Sequence, residues 1–253
     1  RFHSTSTSSA PPPPDLWRRP TARARLAKSQ MSARAVLVVG ASRGIGLELV
    51  RVFAKREHTR VLATVRRRDD GDVLARLRAA GVAERDVLTH DVASGTSAVA
   101  LSAALDAHPQ LDAGIDVVVC NAGVMSARCE LRDEDSTTAA AGVAREEDWQ
   151  RTLMTNVFGT YNTAVALRKQ LCERRAATRS PAKYVVIGST MGSSANAARG
   201  NTYGYRASKA AAANVAANLA TELREHNVAT MCVHPGWVQT DMGGASADVT
   251  VEQ

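Results

Sequence analysis

Three features of the 253-residue sequence predict a doubly wound α/β domain built on a parallel sheet. Apolar runs of strand length alternate with helical patterns. A glycine-rich turn joins the first such strand to the first such helix, and each polar motif of interest falls at a strand end or in the helix that follows it. Parallel strands require crossover connections, and these put helices on both faces of the sheet. The length and a 45% hydrophobic content suit one domain with a sizeable core. No apolar run approaches the ~18 residues needed to cross a bilayer, so no membrane partner is expected.

Residues 35–39 are a continuous apolar run ending at Gly40, as in a strand buried on both faces, and 45–55 carry the helical repeat that follows it. The same alternation predicts strands at 60–65, 86–89, 116–120, 183–188 and 228–233, and helices at 73–80, 99–107, 149–168 and 205–226. Residues 128–147, polar and alanine-rich, predict a surface connection, and 176–181 a basic turn.

The formal charge of +7 is concentrated at the start. Six basic side chains against Asp15 give residues 1–30 a charge of +5 and leave +2 for the rest, ordinary for an enzyme and no sign of a nucleic-acid partner. Residues 1–32, Ser/Thr-rich, then Pro11 to Pro14, then Arg/Ala-rich, cannot build a core. Three readings fit this extension: an organelle transit peptide, a disordered tail, or upstream sequence translated in error ahead of Met31. Cys120, Cys129, Cys172 and Cys232 form no Cys-x-x-Cys pair and stand near no histidine at zinc spacing. They read as reduced thiols, without a metal, in a cytoplasmic protein, or an organellar one if the extension is a transit peptide.

Gly40-Ala-Ser-Arg-Gly-Ile-Gly46 lies where a dinucleotide pyrophosphate needs close backbone approach and free helix amides. Gly40, Ser42, Arg43, Gly44, Ile45 and Gly46 are therefore candidate cofactor contacts. The second strand ends at Arg66 without a carboxylate, and a cation there suits a ribose 2′-phosphate. Arg66 with Arg43 predicts NADP(H) over NAD.

Tyr205 and Lys209, four residues apart, share one helix face. An ammonium beside a phenol stabilises the phenolate and lowers its pKa, so the pair can move a proton. Ser189 ends the fifth strand, Asn121, Ala122 and Gly123 end the fourth, and Asn156 lies within a helical pattern that asparagine does not favour.

In order and spacing, these residues with Asp91 and with Pro235-Gly236 after the sixth strand resemble the compact, Rossmann-fold branch of the short-chain dehydrogenase/reductases over about residues 33–245. The stretches around Gly40, Tyr205 and Pro235 look most like the sniffer and C-factor group of NADPH-dependent carbonyl reductases. The resemblance implies hydride transfer between nicotinamide and a carbonyl or secondary alcohol. It implies Tyr205 as general acid, Lys209 as holder of the nicotinamide ribose that depresses the tyrosine pKa, Ser189 as orienter of the substrate oxygen, and Asn156 as support for a proton-conducting water. It places Asp91 and Val92 at the adenine, Asn121, Ala122 and Gly123 along the cleft, and Pro235, Gly236, Val238 and Thr240 beside the nicotinamide. It further implies a small-molecule carbonyl partner and a homodimer or homotetramer. The family pattern continues past Asp241 into a substrate-covering segment, another helix and a seventh strand. These have no counterpart in the sequence, and a C-terminally incomplete domain without its edge strand is expected. The rival function is a non-catalytic NADP-binding regulator of the same fold.

Overall fold

Alternate residues of the first strand serve opposite faces of one sheet, and both faces are covered. In β1 (Arg34–Val39), Leu37 and Val39 join one apolar cluster while Val36 and Val38 join another. This computed structural model describes residues 33–111, 113–125, 139–173, 181–196 and 201–253. The extension 1–32, Cys129 and residues 176–180 of the expected basic turn lie outside them.

The chain continues through α1 (Gly44–Ala54), β2 (Thr59–Val65), α2 (Gly71–Ala79), β3 (Val87–Thr89), α3 (Gly95–Asp106) and β4 (Val117–Cys120). Then come α4 (Ala139–Leu153), a π-helical turn at Met154–Phe158, α5 (Gly159–Arg168), β5 (Ala182–Ile187), α6 (Tyr203–Glu222) and β6 (Val228–Val233). The six strands are parallel, as the alternation predicts, and lie in the order β3-β2-β1-β4-β5-β6. The order reverses between β1 and β4, and ligands of such sheets sit outside the carboxyl ends of the strands at that point. Leu47 and Val50 of α1 and Leu77 of α2 pack on one face. Leu101 and Leu105 of α3, Leu167 of α5 and Ala216 and Leu219 of α6 pack on the other.

Several boundaries move, each for a local reason. Asp70 and Ser94 accept hydrogen bonds from Val73 N and Ser97 N, both at 3.2 Å, and so start α2 and α3 earlier than the apolar pattern does. Residues 139–147, expected in a surface connection, are helical, because their alanines favour helix without an amphipathic signal. Asp86 leaves β3 for a short 3₁₀ turn, Glu84–Asp86. Its carboxylate meets Arg60 at 3.1 Å and His108 Nε2 at 3.0 Å, joining a half-buried arginine and a buried histidine at the amino ends of β2 and β3.

Cys120, Cys172 and Cys232 are free thiols. Among the described residues, no helix is long and apolar enough to cross a membrane, and no three metal-ligating side chains cluster.

Candidate active site

The turn after β1 is shaped by what its glycines leave out. Gly40 has φ +80°, a left-handed conformation that glycine adopts without strain. A Cβ on Gly46 would lie 2.2 Å from Gly40 O and 2.5 Å from Asn121 Nδ2, so the first turn of α1 closes directly on the β1 end. Asn121 Nδ2 donates to Gly40 O at 2.8 Å, and Gly40 N donates to Thr64 Oγ1 at 3.2 Å. The ends of β1, β2 and β4 are thus tied together at the switch point. Neither Thr64 nor the Asn121 side-chain bond has a role in the sequence reading. Ser42 and Ile45 are partly exposed on the turn, and the N-terminal amides of α1 face the same crevice. A dinucleotide pyrophosphate fits this backbone cradle, whose tight closure leaves no room for a Cβ on Gly40 or Gly46.

The predicted phosphate cations differ in setting. Arg66, at the end of β2, is exposed. Arg43 is exposed as well, and NH1 pairs with Asp241 at 2.6 Å, so a phosphate would exchange partners with that carboxylate. Asp91 and Val92 lie between β3 and α3, with Asp91 Oδ1 accepting from Ala93 N at 3.1 Å. Asn162 of α5 donates to Val92 O at 2.9 Å and to Ser94 O at 3.0 Å, fixing this connection from below.

The four predicted catalytic residues converge at the ends of β4, β5 and the start of α6. Tyr205 and Lys209 are both 8% exposed, and the ammonium lies 5.7 Å from the centre of the tyrosine ring. Lys209 Nζ donates to Ile187 O at 2.7 Å. A Cβ on Gly123 would sit 3.7 Å from that Nζ and 3.3 Å from Asn156 Oδ1, so Gly123 keeps a gap open beside both. The Tyr205 phenol is hydrogen-bonded to Ser189, whose Oγ also accepts from Met191 N at 3.1 Å.

Asn156 occupies the π-helical turn, which explains an asparagine in that pattern. Its Oδ1 accepts from Val124 N at 2.8 Å, while Nδ2 donates to Val124 O at 2.8 Å and to Ser208 Oγ at 2.9 Å. Ser208 Oγ donates to Tyr205 O at 2.7 Å. Ser208 therefore links the asparagine to the turn of α6 that carries the phenol. It sits beside Lys209 in the sequence, and its complete burial is the signal that reveals it.

Burial raises the Tyr205 pKa, and the Ser189 hydrogen bond opposes that rise. The sequence reading has Lys209 lowering this pKa, and in the structure the opposing influence comes from Ser189 instead. Burial also holds Lys209 down to about 8, with the nearby Cys232 acting in the other direction. Cys232 packs on Gly188: a Cβ there would be 2.6 Å from Cys232 Sγ.

Past β6 the chain turns at Pro235 and at Gly236, φ +89°, and returns toward the glycine turn. Val238 bridges Val249, and Gln239 N donates to Val249 O at 2.8 Å. A Cβ on Gly44 would meet Thr240 Cγ2 at 3.2 Å, which places Thr240 against the cofactor turn. Beyond Asp241, the chain folds back on residues 237–239 through Ala247 and Val249, with Gln239 Nε2 donating to Ala247 O at 3.0 Å.

Fold, glycine cradle and the Ser-Tyr-Lys arrangement define a nucleotide-binding oxidoreductase. The profile of the short chain dehydrogenase family matches residues 34–249, and the chain belongs to that family. C-signal of Myxococcus xanthus is 38% identical over 133 residues, 53% of this chain and 71% of that protein. The 3-oxoacyl-[acyl-carrier-protein] reductase FabG of Aggregatibacter actinomycetemcomitans is 32% identical over 209 residues, 82% of this chain and 77% of that one. Among solved structures, the carbonyl reductase Sniffer of D. melanogaster superposes with a TM-score of 0.73 at 25% identity, covering 87% of both chains. The NADPH-bound carbonyl reductase from chicken fatty liver gives a TM-score of 0.71 at 26% identity, covering 88% of this chain and 86% of its own.

Proposed function

We propose that the chain reduces the carbonyl group of a small or medium apolar substrate, or oxidises the matching secondary alcohol. The cofactor is NADP(H), which supplies or accepts the hydride when bound. The observation that carries the reading is the meeting of the Tyr205 phenol, the Ser189 hydroxyl and the Lys209 ammonium beside backbone that Gly123 leaves uncovered. Burial keeps the phenol protonated at neutral pH, the state a proton donor needs in carbonyl reduction. Ser189 orients the substrate oxygen, and Tyr205 gives it a proton. Lys209 holds the nicotinamide ribose, and Asn156 steadies the α6 turn through Ser208 and supports a water that passes protons to the lysine.

Gly40, Ser42, Gly44, Ile45 and Gly46 seat the pyrophosphate, and Arg43 and Arg66 take the 2′-phosphate. Asp91 and Val92 meet the adenine, Asn121, Ala122 and Gly123 line the cleft, and Pro235, Gly236, Val238 and Thr240 flank the nicotinamide. Exposed Trp237 and Met242, on the same segment as Thr240, support an apolar substrate. Exposed Trp149, Leu153, Tyr161 and Val165 on α4 and α5 support a homodimer or homotetramer, which light scattering tests.

A second reading, an NADP-binding regulator without turnover, is favoured by the likeness to the relative named C-signal. Titration of the purified chain with NADPH and NADH, followed by nicotinamide absorbance with ketones, aldehydes, quinones and a 3-oxoacyl thioester, separates the readings. Tight NADPH binding with oxidation of the cofactor is expected. Binding without oxidation by any of them favours the regulator, and a folded chain that binds neither nucleotide defeats both.

A further inference from the structure

The connection that carries Asp91 and Val92 is held by a buried histidine that the proposed chemistry does not use. His90, directly after β3, is 3% exposed, and its backbone N extends the ladder to Val65 O at 2.9 Å. Its ring spans two helices. Nε2 lies 3.2 Å from Thr163 Oγ1 of α5, and Nδ1 lies 3.4 Å from Ser97 Oγ of α3.

The hydrogen-bond network assigns the proton. Thr163 Oγ1 donates to Gly159 O at 2.7 Å, so its oxygen meets the ring as an acceptor and Nε2 carries the hydrogen. Ser97 Oγ accepts from Asp91 N at 2.8 Å, which leaves its own hydrogen for Nδ1. One neutral tautomer therefore satisfies a continuous chain from the Asp91 backbone, through Ser97, His90 and Thr163, to Gly159. Gly159 also supports Val92 directly, since a Cβ there would lie 2.8 Å from Val92 Cγ2. With Asn162 on Val92 O and Ser94 O, the connection is gripped from both helices.

We propose that His90 is a positioning residue: its neutral ring sets Asp91 and Val92 for the adenine end of NADP(H), and its protonation weakens cofactor binding. The proposal rests on the reading of Asp91 and Val92 as the adenine contacts. A second proton, on Nδ1, would point at the Ser97 hydroxyl, which would have to swing its hydrogen off that line and share its oxygen between Nδ1 and Asp91 N, weakening its hold on Asp91. Burial lowers the pKa of the ring, opposed by the Asp91 carboxylate and by a hydrogen bond with the Ser97 backbone. From α3 and α5 the ring receives the hydroxyls of Ser97 and Thr163. It is neutral at pH 7 and becomes charged in acid.

The test is calorimetric titration of the full chain with NADPH at pH 7.5 and pH 5.5, for wild type, His90→Gln, His90→Phe and Asp91→Ala. Circular dichroism confirms that each is folded. Glutamine keeps a donor toward Thr163 and does not titrate, whereas phenylalanine loses both bonds. The 2′-phosphate of the cofactor titrates in the same range, so the quantity read is the difference between chains. Wild type is expected to lose more affinity than His90→Gln between the two pH values, by less than about tenfold because burial holds the ring pKa below that of a free imidazole. At pH 7.5, His90→Phe is expected to bind about three- to tenfold more weakly than wild type, with His90→Gln in between. Equal pH dependence of wild type and His90→Gln overturns the proposal, as does a folded His90→Phe that binds like wild type. If Asp91→Ala binds like wild type, the adenine assignment fails instead.

Discussion

Lys209→Met should stabilise the protein while removing its activity. The ammonium is 8% exposed, and its pKa falls to about 8 from 10.5, a difference of 2.5 that corresponds to about 3 kcal/mol for keeping it charged and buried. Methionine matches the stem and removes the charge, but it leaves the Ile187 carbonyl without the 2.7 Å bond, a loss of about 1–3 kcal/mol. The net expectation at pH 7 is a gain of about 1 kcal/mol, read by urea unfolding followed by circular dichroism. The pH dependence is the sharper check. A lysine whose folded pKa is depressed contributes stability that is complete above its unfolded value and lost as pH falls through its folded one. Between pH 8 and 9 the unfolded chain holds this proton and the folded chain releases it. Wild-type stability should therefore rise by about 1 kcal/mol relative to Lys209→Met over that interval. Comparing the two chains cancels the groups that do not act on Lys209, and the coupled Cys232 thiol is removed from both as Cys232→Ala. Parallel pH profiles, or a variant less stable than wild type by more than about 1 kcal/mol at pH 7, would refute the reasoning.

Three further outcomes are expected. Tyr205→Phe should abolish turnover with NADPH affinity within about threefold of wild type, since one hydroxyl is lost from a ring that packs unchanged; stopped-flow and fluorescence titration measure the two, and retained turnover would reject Tyr205 as the acid. Arg66→Asp should weaken NADPH by about tenfold and move preference toward NADH, because a carboxylate repels the 2′-phosphate and suits a free hydroxyl; an unchanged ratio of dissociation constants would place the phosphate elsewhere. Asp86→Ala should destabilise by about 2 kcal/mol in urea, because it leaves a half-buried Arg60 and a buried His108 without their partner. A loss under about 1 kcal/mol would show that water reaches them.

The sheet was legible because most strands are short, continuous apolar runs, the pattern that burial on both faces imposes, although β6 at the sheet edge leaves Met231 and Val233 exposed. The parallel pairing followed from the crossovers that such runs require, while the strand order came from the structure. Helix starts were less legible, since Asp70 and Ser94 set them through side-chain bonds rather than through apolar periodicity. The alanine-rich start of α4 carried no amphipathic stripe and read as a connection. At the site, residue types announced the donors and cations, and spacing placed Tyr205 beside Lys209. Links that depend on burial did not show: Ser208 between Asn156 and Tyr205, Thr64 under Gly40, and the Ile187 carbonyl on Lys209. The balance of charge at Tyr205 was also beyond the sequence, because desolvation depends on what surrounds a ring and not on its neighbours in the chain.

Gly188 and Cys232 meet across adjacent strands so closely that a change at one position is felt at the other. With a Cβ on residue 188 only 2.6 Å from the Cys232 sulfur, a serine or alanine introduced there requires that sulfur to rotate, and the exposed Cys232 side chain has room to do so. A substitution at 188 therefore reaches the site through a displaced thiol as well as through its own side chain. Because that thiol acts on the Lys209 ammonium, its displacement alters the electrostatics of the lysine without touching it.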